Sequence, residues 1–88
     1  EENGFKLAFY RSFNNIWHMT KKAIFRELDK ELKGKRLRLI QMNNEPNPVQ
    51  PGTEGTIYYV DNAGTIHLKW DDGSLLGVII GLDEYQIL

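Results

Sequence analysis

The chain has 88 residues, a net charge of −1 and no cysteine. This length suits one domain, which buries only about 60–65% of the surface that its unfolded chain exposes. The lack of cysteine excludes disulfides, thiolate metal sites and cysteine nucleophiles, and it favours a reducing, cytoplasmic location. The longest apolar stretch, residues 75–80, is far shorter than the roughly 20 residues that cross a bilayer, so no membrane contact is expected.

Charge is divided unevenly along the chain. Residues 1–38 hold ten Lys and Arg against five Asp and Glu, whereas residues 39–88 hold one against seven. Such asymmetry indicates a basic element that meets nucleic acid or an acidic partner, or two halves that dock on each other.

The first predicted element is an amphipathic helix over residues 9–32. Its apolar residues recur at helical spacing: Phe9, Phe13, Ile16, Trp17, Ile24 and Leu28. Gly34 is typical of a helix C-cap, so residues 1–33 form a predicted N-terminal helical segment. Two alternatives stay open for residues 1–18. They are an appended segment before a natural start at Met19, or the first turns of the same helix.

After Gly34 the apolar period changes from about 3.6 to about 2, which is typical of strands. Strands are predicted at 35–40, 53–61, 65–70, 74–80 and 85–88, with a long loop at 43–52. In the third strand Ile66, Leu68 and Trp70 share the face predicted to be core. The predicted fold class is mainly β (α+β): five antiparallel strands over residues 34–88, closed or nearly closed into a small barrel, after an amphipathic helix.

Four phrases in residues 34–88 also occur together in a known family. They are Gly-Lys-Arg-Leu-Arg-Leu at 34–39, Pro-Gly-Thr-Glu-Gly-Thr-Ile at 51–57, Val-Asp-Asn-Ala-Gly-Thr-Ile at 60–66 and Trp-Asp-Asp-Gly-Ser at 70–74. A Gly-Leu-Asp segment follows at 81–83. The chain thereby resembles a small domain family of unknown function, carried mostly by phages, plasmids and conjugative elements of Gram-positive bacteria. The resemblance implies an SH3-like barrel and brings no established activity.

Catalysis is not predicted. His18 and His67 lie in different elements, and the sequence shows no nucleophile motif and no metal-ligand spacing. Asp71 and Asp72 precede Gly73, which favours a hairpin turn over a carboxylate dyad. We therefore expect neither cofactor nor metal.

The first candidate surface is aromatic. Many SH3-like barrels bind extended peptides or methylated side chains in a groove between a long loop and the barrel rim, where aromatic rings supply the contacts. The predicted partner-binding residues are Tyr58, Tyr59, Trp70, Tyr85, Asp71 and Asp72. In the alternative interpretation Trp70 and one tyrosine fill the core of the small barrel.

The second candidate surface is basic and would bind nucleic acid. Its predicted residues are Arg11, Lys22, Arg26, Lys33, Lys35 and Arg36. The alternative is an ordinary solvated helix face.

The apolar helix face is a third candidate, as a homodimer interface that adds stability to a small chain. Its residues are Phe5, Phe9, Phe13, Ile16, Trp17, Ile24 and Phe25. Three hypotheses for function follow: a non-enzymatic module of a mobile genetic element that binds a protein partner through barrel rim and helix, a nucleic-acid-binding accessory protein, or an inhibitor of a host defence system.

Overall fold

The computed structural model describes residues 17–88 of the chain. Within this range one helix and five strands follow in the order α1 (Trp17–Leu32), β1 (Arg36–Gln41), β2 (Glu54–Val60), β3 (Thr65–Trp70), β4 (Val78–Ile79) and β5 (Glu84–Ile87). The strands form one antiparallel sheet with the spatial order β4-β3-β2-β1-β5. The predicted mainly β fold, with one helix before five antiparallel strands, is confirmed.

Helix α1 rests on the sheet through its apolar side. Phe25 is buried in the core, and Leu28 and Leu32 pack against it from the same side of the helix. The predicted helix over 9–32 is confirmed from residue 17 onwards, and residues 9–16 lie outside the described part of the chain. No helix in that part is long and apolar enough to span a bilayer.

Polar contacts fix the end of α1 against β2. The Val60 N–H donates a hydrogen bond to the Asp29 carboxylate at 2.8 Å, and the Gly34 N–H donates to the Ile57 carbonyl at 2.7 Å. Gly34 has φ 88°, a left-handed conformation that glycine adopts without a steric penalty. The predicted glycine cap therefore ends the helix and also directs the chain into β1, which begins two residues later.

The sheet has an apolar inner face and a polar outer face. Leu37 and Leu39 of β1 are buried, as are Ile66, Leu68 and Trp70 of β3. These residues alternate with exposed or half-exposed ones along each strand. The inward orientation predicted from the period of 2 is confirmed.

The fourth strand is much shorter than the predicted 74–80. The Trp70 indole N–H donates to the Leu76 carbonyl at 2.6 Å, so this carbonyl is used by a side chain and not by the ladder. At Gly77 a Cβ atom would lie only 2.6 Å from Thr65 Cγ2. Only after this close approach does the chain run beside β3 as regular β4.

Backbone pairing does not close the described sheet into a barrel, because no ladder joins β4 to β5. A buried carboxylate connects the two sides instead. Asp83 is 7% exposed, and it accepts hydrogen bonds from the N–H groups of Ile79 in β4 and Asn43 after β1, both at 2.8 Å. The Asn43 side-chain amide also donates to the Leu82 carbonyl at 2.7 Å.

The loop at 43–52 contains no strand, as predicted. It is anchored by the buried Val49 and by the Gly52 N–H, which donates to the Leu39 carbonyl at 2.7 Å. The loop therefore folds back onto the end of β1.

Replacing the buried carboxylate tests its role. In Asp83→Asn one amide oxygen remains for two N–H donors, and the new NH2 group faces a donor. We expect the free energy of unfolding to fall by about 1–3 kcal/mol, the usual cost of a buried unsatisfied polar group. Urea denaturation measures it. Asp72→Asn, in an exposed turn, is the control and should change stability by less than about 0.5 kcal/mol; equal losses in both variants contradict the assignment.

Candidate binding site

A β-bulge in β2 places two consecutive tyrosines on the outer face of the sheet. The pairing with β3 shifts register between Ile57 and Tyr59. A bulge adds one residue to a strand and interrupts the alternation of its side chains. Accordingly Ile57 and Val60 are buried, whereas Tyr58 is 54% and Tyr59 45% exposed.

These tyrosines and a neighbouring histidine form an aromatic cluster, which we define as Tyr58, Tyr59 and His67. The ring centroids of Tyr59 and His67 are 4.9 Å apart, those of Tyr58 and His67 6.2 Å, and those of the two tyrosines 6.5 Å. All three distances fall within the range of aromatic contacts. The cluster is a coherent surface of exposed rings.

The β2–β3 turn holds this histidine in place. The Asp61 carboxylate lies 2.9 Å from His67 Nε2 and accepts hydrogen bonds from the N–H groups of Ala63 and Thr65, both at 2.9 Å. Burial acts to raise the pKa of Asp61, but the hydrogen bonds from His67, Thr65 and Ala63 outweigh it, and the pKa lies below its ordinary value. Gly64 completes the turn with φ 91°.

Beside the cluster lies a cavity of about 600 Å³, a size typical of ligand sites. We call it the β3 cavity. Its wall combines β2, β3 and the segment that follows β3: Tyr58, Leu68, Lys69, Trp70, Gly73, Ser74 and Leu75. Leu75 is 94% exposed at its rim. A leucine so fully in water beside an exposed tyrosine is an apolar contact surface without an intramolecular partner.

A network of charges covers the outer face between β1, β2 and the turn after β3. Arg36 Nη1 donates to Asp71 Oδ1 at 3.0 Å, and Arg36 Nη2 donates to Glu54 Oε1 at 3.3 Å. Arg38 Nε donates to Glu54 Oε2 at 3.0 Å. The hydrogen bond with Asp71 raises the pKa of Arg36, and the same bond lowers the pKa of Asp71. The basic and acidic parts of the chain therefore dock on each other here.

The structure brings together three of the six predicted partner-binding residues. Tyr58 and Trp70 line the β3 cavity and Tyr59 stacks in the adjacent cluster. Trp70 is only 4% exposed, as the core interpretation anticipated, so it forms the floor of the cavity. Tyr85 lies on β5 beside Leu39, at the far edge of the sheet, and burial raises the pKa of its hydroxyl.

The two predicted acidic residues have intramolecular roles. Asp71 pairs with Arg36, and Asp72 accepts a hydrogen bond from the Ser74 N–H at 2.9 Å within the turn. The expected groove beside the long loop also differs from the structure, because no residue of 43–52 lines the β3 cavity.

Sequence reasoning missed His67, Lys69 and Leu75. Because Ile66, Leu68 and Trp70 share the inner face of the third strand, strand alternation places His67 and Lys69 on its outer face. The sequence pattern does not show that Tyr58 and Tyr59 both join them there, because this depends on the bulge in β2. Leu75 falls inside the predicted strand 74–80, which the structure shortens to Val78–Ile79.

The predicted basic surface is only partly available. Arg11 lies outside the described residues. Lys33 Nζ is 3.2 Å from the Asp29 carboxylate, and Arg36 belongs to the charge network. Three of the predicted residues remain exposed and form no ion pair within residues 17–88: Lys22, Arg26 and Lys35.

The predicted homodimer face is also reduced. Phe25 is buried against Gly64, where a Cβ atom would meet its ring at 2.8 Å, so it belongs to the core and offers no interface. Ile24 remains exposed on α1. Phe5, Phe9, Phe13 and Ile16 lie outside the described residues, and the side chain of Trp17 is not described.

Fold and site together define a small, mainly β domain with an aromatic surface and a cavity at one side of its sheet. Residues 22–88 match the model of a family described as a domain of unknown function (DUF4314). The chain belongs to this family, which confirms the predicted resemblance to a domain family of unknown function. Comparison with curated proteins and with solved structures found no match.

The charge network makes a prediction about acid stability. A carboxyl group with a lowered pKa in the folded state adds stability above its unfolded pKa of about 4, and this is lost as pH falls through the folded pKa. Asp71, Asp29 and Asp61 all have lowered pKa values. We expect the urea midpoint to fall as pH drops below about 4.

The neighbouring residues Asp71 and Asp72 provide a matched comparison. Asp71→Asn should lower the midpoint at neutral pH and flatten its decline in acid, because the group that titrates is gone. Asp72→Asn should retain the pH profile of the unmodified chain. Identical profiles for both variants contradict the role of the Arg36–Asp71 pair.

Proposed function

We propose that this chain is a non-enzymatic interaction module that binds a protein partner through the aromatic cluster and the β3 cavity. The observation that carries the proposal is the exposure of Tyr58, Tyr59 and Leu75 around one cavity. Tyrosines are enriched among residues that dominate protein–protein binding, because they bury a large area and lose little rotamer freedom. A small domain that leaves these three side chains in water, while it buries Ile66, Leu68 and Trp70 of the neighbouring strand, presents a contact surface.

Helix α1 supplies a second contact surface in this proposal. A shallow cavity of about 440 Å³ lies along the helix, and its lining includes the apolar residues Ala23, Ile24 and Leu28 and the two acidic residues Glu27 and Glu31. A surface that combines apolar side chains with carboxylates suits a partner segment that carries both apolar and basic residues. The proposed contact therefore has an aromatic part on the sheet and an aliphatic part on the helix.

The finer identity rests on the sequence resemblance. We propose an SH3-like barrel, carried by a phage, plasmid or conjugative element, whose partner is a protein of that element or of its host. A chain from such an element could alternatively act by binding and inhibiting a protein of a host defence system. The open side of the sheet, bridged by Asp83, is compatible with a partly open barrel.

The alternative proposal is a nucleic-acid-binding accessory protein. It is supported by Lys22 and Arg26, which lie one helical turn apart on α1 and are both exposed. Two exposed basic side chains at this spacing can contact the phosphates of a nucleic-acid backbone. The ion pairs of Lys33 and Arg36 weigh against the full predicted basic surface.

Selection of short random peptides on the intact chain tests the first proposal. We expect specific peptides to be enriched, and Tyr58→Ala to weaken their binding by about tenfold or more, because an aromatic anchor is lost. Isothermal titration calorimetry measures the affinity. Ile40→Ala, an exposed residue of β1 outside the cavity, should bind normally. Enrichment of no peptide, or equal loss in both variants, overturns the proposal.

Fluorescence anisotropy with labelled single- and double-stranded oligonucleotides at low and moderate salt tests the alternative. If the basic helix face is the site, binding should weaken steeply with salt. The slope of the logarithm of the binding constant against the logarithm of salt concentration should fall in magnitude by about 0.9 for each duplex phosphate contact removed. Lys22→Glu should then reduce binding while Lys69→Glu, the same charge change on β3, leaves it nearly unchanged. Absence of binding at low salt excludes this function.

A further inference from the structure

The β3 cavity lies at an edge of the sheet that the chain itself leaves unpaired. Strand β4 is two residues long and pairs only with Thr65 and Ile66. The rest of β3, from His67 to Trp70, therefore has a strand neighbour on the β2 side alone. An uncovered edge of this kind is a template for an additional strand.

Hydrogen bonds on the opposite strand show which groups face the gap. The Ile57 N–H donates to the Lys35 carbonyl at 2.9 Å, and the Ile57 carbonyl accepts from Gly34 at 2.7 Å. Both groups of Ile57 thus point towards β1. Since Ile57 stands opposite Leu68, antiparallel alternation directs the Leu68 N–H and carbonyl away from β2 and towards the cavity.

The segment after β3 does not occupy these groups. The Trp70 carbonyl, on the same side, accepts from the Gly73 N–H at 3.1 Å. The Leu76 carbonyl, which a longer β4 would offer to Leu68, is taken by the Trp70 indole. No backbone hydrogen bond joins Leu68 to residues 71–77, and a buried backbone group without a partner is costly.

The walls of the cavity have the arrangement that an added strand requires. Lys69 and Tyr58 belong to the outer face of the sheet, whereas Leu68 and Trp70 belong to its inner face, and all four line the same cavity. The cavity therefore spans the edge and does not lie on one face. Side chains of a strand alternate between the two faces, so one inserted strand contacts both walls.

Resting on the function proposed above, we propose that the partner is an extended peptide segment that adds as a strand beside β3 and pairs with the backbone of Leu68. Its apolar residues face Trp70 and Leu75. The peptide residue between these apolar residues is acidic, because Lys69 is the one charged side chain that residues 17–88 contribute to the cavity wall. The nearby carboxylates of Asp71 and Asp72 already accept hydrogen bonds from Arg36 and Ser74. The charge of Lys69 can therefore pair with an acidic residue of the partner.

Peptides selected on the intact chain serve as probes for the backbone contact. We expect N-methylation at the peptide position that pairs with Leu68 to reduce affinity by about tenfold or more, whereas methylation one position away has little effect, because alternate amides point away from β3. In ¹⁵N-labelled chain, the Leu68 amide should shift on binding and exchange more slowly with solvent. The amide of Arg38, on β1, is the reference and should not change.

A charge exchange at the cavity tests the acidic residue. Peptides selected on the unmodified chain should be enriched in Asp or Glu flanked by apolar residues. On Lys69→Glu the enriched residue should become Lys or Arg. Lys35→Glu, the same change outside the cavity, should still select acidic peptides.

These outcomes separate the two proposals. If peptides bind in a Tyr58-dependent manner but tolerate every N-methyl group and leave the Leu68 amide unchanged, strand addition is wrong and the binding function stands. If Lys69→Glu selects the same acidic peptides, the proposed partner chemistry is wrong. Failure to select any peptide on the unmodified chain overturns both proposals.

Discussion

The buried carboxylate of Asp83 connects the two sides of the described sheet. The sheet is open between β4 and β5, and Asp83 joins β4 to the chain after β1 through two backbone N–H groups. A carboxylate is suited to this position because it accepts several hydrogen bonds and carries no donor. Its two oxygens thereby hold the short strand β4 in place, as a ladder of backbone hydrogen bonds would hold a longer strand. The shortness of β4, on which the candidate site depends, is tolerated because this contact fixes its end.

Two irregularities of the sheet create the candidate site. The bulge in β2 brings Tyr58 and Tyr59 to the same face, and the short β4 leaves a cavity and an unpaired stretch beside β3. A regular five-stranded sheet of the predicted lengths would bury one tyrosine and cover Leu68. Bulges and interrupted strands are common next to binding sites, since they re-aim side chains and end backbone pairing.

Part of the charge asymmetry along the chain has an internal explanation. Arg36 and Arg38 come from the basic part of the sequence and pair with Asp71 and Glu54 of the acidic part. Of the alternatives that the sequence left open, docking of the two halves accounts for these residues. Each pair is partly exposed and contributes little by itself, so the network serves to align β1, β2 and the turn after β3. No ion pair within residues 17–88 engages Lys22, Arg26, Lys35 or Lys69, and of these four it is Lys69 that lines the β3 cavity.

The sequence by itself determined the helix, its glycine end, the inward leucines and the order of the strands, because these features follow from local periodicity and from residues with strong conformational preferences. It also identified Tyr58 and Tyr59 as candidates. Only the tertiary structure decided that both point outward, that Trp70 is a cavity floor, and that Tyr85 lies at the opposite edge. Three features follow from contacts between residues that lie apart in the sequence, which no local pattern encodes: the register shift at the bulge, the hydrogen bond from Trp70 to the Leu76 carbonyl, and the hydrogen bond between Asp83 and Asn43.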